Sequence, residues 1–104
     1  METEERVFSA LADATRRDLL MKLAESSPQT ATEFSRSLPI TRQGILKHLN
    51  QLEEAGLVAS RHRGREKLFW FAPDPLDEVG DWLKRIEKEW DQRLTRLKRH
   101  IEGS

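Results

Sequence analysis

The chain has 104 residues, enough for one domain, with 35% charged and 37% apolar residues and a formal net charge of zero. It contains no cysteine, which excludes disulfides and thiolate metal sites. No apolar run approaches the roughly 20 residues of a membrane span. The opening METEERVFSALAD is acidic and amphipathic, unlike a signal peptide. A soluble, cytoplasmic protein is expected. The neutral total hides a basic middle. Between positions 36 and 67, Arg36, Arg42, Lys47, Arg61, Arg63, Arg65 and Lys67 stand against Glu53, Glu54 and Glu66.

In chain order, Thr3 can cap a first helix whose apolar residues Val7, Phe8 and Leu11 recur at helical spacing. Asp13 suits the N-cap of a second helix, TRRDLLMKLAE, with Leu19, Leu20 and Leu23 inward and Ser26-Ser27-Pro28 as its stop. Thr30-Ala31-Thr32-Glu33 reads as a capping box opening a short third helix. Phe34 and Leu38 form its apolar side and Pro39 stops it. Thr41 caps a fourth helix with Ile45, Leu49 and Leu52 on one face, and Ala55-Gly56 ends it. The run VASRHRGREKLFWF reads as two strands around a Gly64 turn, with a basic tip of Arg61, His62, Arg63, Arg65 and Lys67. Asp74 and Pro75 offer a cap and a first-position proline for a last helix reaching about His100 or Glu102. Its apolar stripe is Leu76, Val79, Leu83, Ile86, Trp90, Leu94, Leu97 and Ile101. Such a helix is about 40 Å long, whereas a compact domain of this size has a radius of gyration near 13 Å. Either its C-terminal half frays in solvent or a second copy covers it.

The fourth helix raises the functional question. Opposite its packed face lie Gln43, Leu46, Lys47 and Asn50, with Arg42 at the entrance and no acid in the first turns. A short helix, a tight turn and a second helix with an apolar back and polar front make a helix-turn-helix. The second helix of such a unit fits the DNA major groove, with its N-terminal residues at the base edges. Arg42 suits guanine, Gln43 adenine and Leu46 a thymine methyl, while Lys47 reaches a base or a phosphate. The Thr41 hydroxyl and the helix-start amides suit a phosphate oxygen. The basic hairpin then serves as a wing, with Arg61, Arg63, Arg65 and Lys67 on phosphates or in the minor groove. Each residue also has a plainer reading. Leu46 can edge the core, His48 can make a structural hydrogen bond or a phosphate contact, and the charged hairpin can discourage strand pairing. Glu66 suits an arginine neighbour better than a phosphate. Trp70, Trp82 and Trp90 read as core or subunit surface. Nothing assembles a nucleophile with a base or a metal, so no enzyme is expected.

SALADATRRDLLMKL, then SLPITRQGILKHLNQLEEAGLV, then a basic hairpin ending LFWFAPDPL resembles the ArsR-type winged-helix repressors. The likeness is greatest to the branch with a Trp-rich last helix, here DWLKRIEKEWDQRLTRLKRHI, and covers roughly residues 7–101. The resemblance implies a mainly α member of the α/β class, a winged helix-turn-helix of order ααααββα filling residues 1–104. The helix-turn-helix would span about 30–55, the wing about 58–71 and a dimerisation helix about 75–102. It implies a homodimer joined through the first and last helices, using Val7, Phe8, Leu11, Leu83, Ile86, Trp90, Leu94 and Leu97. It also implies a sequence-specific repressor of double-stranded DNA acting by operator occupancy. Thr41, Arg42, Gln43, Leu46, Lys47 and His48 would lie on the reading helix, with Arg61, Arg63, Gly64, Arg65 and Lys67 on the wing.

The chain departs from the family pattern at Ala14, where a proline is frequent, and at Leu46, where a small polar residue is usual. Metal-sensing members carry cysteines before the turn, where this chain has TATEFSRSL, and its last helix offers only His100. It therefore reads as a non-metal member without a cofactor, its effector unwritten in the sequence. A winged helix that binds an acidic protein is the alternative, favoured by the neutral total charge.

Overall fold

The computed structural model describes residues 2–103, so the two end residues of the expected 1–104 domain lie outside it. Helices α1 (Glu2–Leu11), α2 (Ala14–Glu25), α3 (Ala31–Ser37) and α4 (Arg42–Glu54) precede strands β1 (Val58–Arg63) and β2 (Glu66–Phe71), and α5 (Asp74–Glu102) closes the chain. The order is ααααββα, as expected.

Local chemistry sets most of the boundaries. The Asp13 carboxylate accepts the Arg16 amide at 3.0 Å, Thr30 Oγ1 the Glu33 amide at 3.1 Å, and Thr41 Oγ1 the Gly44 amide at 3.1 Å. Each satisfies an amide that the first helical turn leaves without an intrahelical partner. At Thr30 the box closes onto the side chain, whose hydroxyl donates to Glu33 Oε1 at 3.4 Å. Gly56, at φ +80°, lets the chain leave α4 through the left-handed region. Two expected caps differ. Thr3 already lies inside α1. The residue before α5 is Pro73, with no side-chain cap bond, and Asp74 is the first helical residue. Asp74 and Asp77 in the first turn still suit the positive end of the helix dipole.

The core gathers Val7, Leu19, Leu20, Leu23, Phe34, Ile45, Leu49, Leu52, Leu57, Val58, Phe69 and Val79. Val7 is fully buried in it, so a residue expected at a subunit surface is taken up by the chain's own interior. The hairpin pairs Val58 with Phe71 through to Arg63 with Glu66. A further link escapes the sequence pattern. Gln29, between α2 and α3, bonds both ways with Phe69, at 3.1 and 2.9 Å, and so sutures the hairpin to the helices. Helix α5 packs on α1, where Phe8 meets Trp82 edge-on at 5.6 Å, and then projects away. The radius of gyration is 19.1 Å and the longest dimension 70 Å.

Candidate nucleic-acid interface

Helix α4 buries Ile45, Leu49 and Leu52 against the core and exposes Gln43, Lys47 and Asn50 on the opposite face. With no acid in its first turn, its dipole and amides present a positive end. Arg42 is exposed, and its Nε donates to Thr32 Oγ1 at 3.3 Å. That bond engages Nε rather than the Nη edge of the guanidinium. Thr32 on α3 thus supports the Arg42 side chain from ten positions upstream, outside any local motif. Leu46 is half-buried, joining the edge of the core while also lining a recess. The recess, of about 140 Å³, lies between the start of α3, α4 and the wing, and brings Arg42 and Leu46 together with Arg65 and Lys67.

The wing turn is made by Gly64 and Arg65. Gly64 has φ +63° and, among the described residues, no non-glycine residue has positive φ, so only the first central position is left-handed, as in a type II′ hairpin. Strand alternation then sorts the cations. Ser60 with Phe69, and His62 with Lys67, lie on the core-side face, whereas Arg61 and Arg63 lie on the other face and are exposed. The core-side cation has other work. Lys67 Nζ lies 3.7 Å from Glu53 Oε1 and 5.3 Å from the Phe69 ring centre. Glu53 also accepts the Ser60 hydroxyl at 2.6 Å. Lys67, expected on phosphate, thus faces Glu53 of α4 while also lining the recess. Glu66 stands across the ladder from Arg63 but, among the described residues, forms no ion pair.

His48 sits on the flank of α4 against the cap of α2. Its Nδ1 is buried, makes no hydrogen bond, and lies 3.9 Å from Asp13 Oδ2. That distance is too long for a hydrogen bond. The Arg16 amide donated to Asp13 holds that carboxyl below its ordinary pKa. The two arginines of TRRDLL, unassigned from sequence, close α1. Arg16 Nε donates to Ala10 O at 2.6 Å and Arg17 Nη1 to Leu11 O at 2.6 Å.

Along α1 and α5, Phe8, Leu83, Trp90, Leu94 and Leu97 are exposed, while Leu11 and Ile86 are half-buried. Among the described residues no three His, Asp or Glu side chains gather as metal ligands. His100 is exposed near the far end of α5. No helix is long and apolar enough to cross a membrane, among the described residues.

A three-helix core, a reading helix backed by leucines and a basic type II′ hairpin define a winged helix-turn-helix. A family model described as a helix-turn-helix domain matches residues 11–61. Among relatives, the uncharacterized HTH-type transcriptional regulator YuzN of Bacillus subtilis is 40% identical over 82 residues, covering 73% of this chain and 89% of that protein. The HTH-type transcriptional regulator Rv2034 of Mycobacterium tuberculosis is 34% identical, covering 88% and 81%. The solved structure of an ArsR-like transcriptional regulator from Rhodococcus sp. RHA1 superposes with a TM-score of 0.83 at 39% identity, over 94% of this chain and 92% of that one. The chain belongs to the ArsR-type winged helix-turn-helix transcriptional regulators.

Proposed function

We propose that this regulator is a homodimeric repressor, acting in the cytoplasm without a metal, that occupies an imperfectly palindromic operator and excludes polymerase. The observation that carries the reading is the recess shared by Arg42 and Leu46 of α4 and Arg65 of the wing. It joins a base-reading helix start and a phosphate-binding loop on one continuous surface. Arg42, Gln43, Leu46 and Lys47 read base edges, and Thr41, Arg61, Arg63 and Arg65 hold the backbone on either side. Lys67 and His48 support this surface from behind. The dimer is formed by α1 and α5, which carry the exposed apolar side chains Phe8, Leu83, Trp90, Leu94 and Leu97. Two reading helices about 34 Å apart would enter successive major grooves.

Selection of bound fragments from genomic DNA by the purified protein tests the reading. Enrichment of sites with two related half-sites centred about one helical turn apart is expected. On such a site Arg42→Ala should lose about 1–3 kcal/mol against the preferred sequence and little against a scrambled duplex. No enrichment over scrambled DNA, with capture of an acidic protein by the same basic face, would instead support the protein-binding alternative.

A further inference from the structure

Helix α1 packs on α2 and α5, and α4 packs on α2, α3 and β1. Between α1 and α4 themselves runs an open groove of about 610 Å³, rimmed by Glu5, Arg6 and Glu54. Arg16, from the first turn of α2, crosses its floor. Its Nε donates to Ala10 O at 2.6 Å, its Nη2 to Ser9 O at 3.2 Å, and its Nη1 to Gln51 Oε1 at 2.9 Å. Ser9 and Ala10 belong to the last turn of α1, whose carbonyls lack intrahelical donors and which has no basic residue of its own. Gln51 lies on α4. A planar guanidinium can hold both helices at once because its donors form a fixed fork.

The other flank of α4 is also held, since Glu53 takes the Ser60 hydroxyl and faces Lys67 of the wing. Ile45, Leu49 and Leu52 keep α4 on the core through apolar contact, which is non-directional. Hydrogen bonds at both flanks fix its rotation. One flank is referenced to the wing and the other to α1.

We propose that Arg16 is a positioning residue that locks the reading helix to the subunit seam, so that the Arg16–Gln51 bond sets which spacer length between half-sites the dimer accepts. The inference rests on the dimeric DNA-binding reading above. Without the bond, each α4 can roll independently of the α1 to which the partner would attach, and sites with altered spacers become tolerable.

Full-length Gln51→Ala tests this and spares the Arg16 bonds that close α1. Binding is measured to a single half-site and to paired half-sites whose spacer is lengthened or shortened by single base pairs. Gln51→Ala should melt, dimerise and bind the single half-site like wild type. Its preference for the natural spacer should fall at least about fivefold, the low end of ordinary coupling between sites. Gln51→Glu retains an acceptor for Arg16 and should keep the preference while binding every duplex more weakly, through its added negative charge. Wild-type spacer preference in Gln51→Ala overturns the proposal. So does loss of single half-site binding in that variant, which would make Gln51 a DNA contact. A wild-type protein that binds no duplex at all overturns the repressor reading itself, and the two failures are thus distinguishable.

Discussion

Asp13 caps α2 with one oxygen and faces the buried edge of His48 with the same carboxylate. The bond from the Arg16 amide lowers the Asp13 pKa on folding. The folded protein therefore holds this proton less readily than the unfolded chain. The resulting stabilisation is complete above the ordinary value of about 3.8 and disappears as pH falls through the lower folded value. Asp13→Asn preserves a capping oxygen but cannot ionise. Wild type should melt above Asp13→Asn at neutral pH, and the gap should close on the acid side. A gap that persists unchanged in strong acid would mean that the carboxylate charge is not what stabilises the cap. Residues of this kind were readable in the sequence because capping is local: Asp13, Thr30 and Thr41 each meet an amide three positions on. Arg16 was not readable, since Gln51 lies 35 positions away and nothing in the spacing links them.

The wing shows the same limit at the level of an element. Its basic tip was plain from composition, but the division of labour among its cations comes from register. Arg63 and Lys67 look alike in the sequence, yet alternation sends Arg63 outward and turns Lys67 toward Glu53 and Phe69. The third pairing, Gln29 with Phe69, was invisible because a single bridge has no period. The two cations should separate by experiment. Arg63→Ala should weaken binding to all duplexes alike and reduce the slope of log affinity against log salt by about one, with melting unchanged. Lys67→Ala should lower the melting temperature and leave the salt slope nearly at its wild-type value. Equal slopes lost by both variants would return Lys67 to the phosphate-contacting set.

The whole molecule is too long for its core. A 104-residue chain packed as one domain has a radius of gyration near 13 Å, against the 19.1 Å found here, and the excess is α5. Its stripe begins well covered at Val79, but Leu83 is 51%, Trp90 57%, Leu94 54% and Leu97 55% exposed. The apolar period continues past the last residue that the chain itself can cover, which is why the sequence identified the helix but left its cover open. Most of a helix's stability comes from packing an apolar face, and a bare extension is marginal in water. A second copy laid on α1 and α5, as proposed above, would supply that packing and set the distance between reading helices. Wild type should therefore sediment as a dimer at micromolar concentration. Leu94→Glu should sediment as a monomer, lose helical circular dichroism from the distal turns of α5, and lose affinity for a paired site far more than for a single half-site. A wild-type monomer that keeps the full helix signal and binds paired sites no better than single ones would show that α5 stands without a partner and that each subunit meets DNA alone.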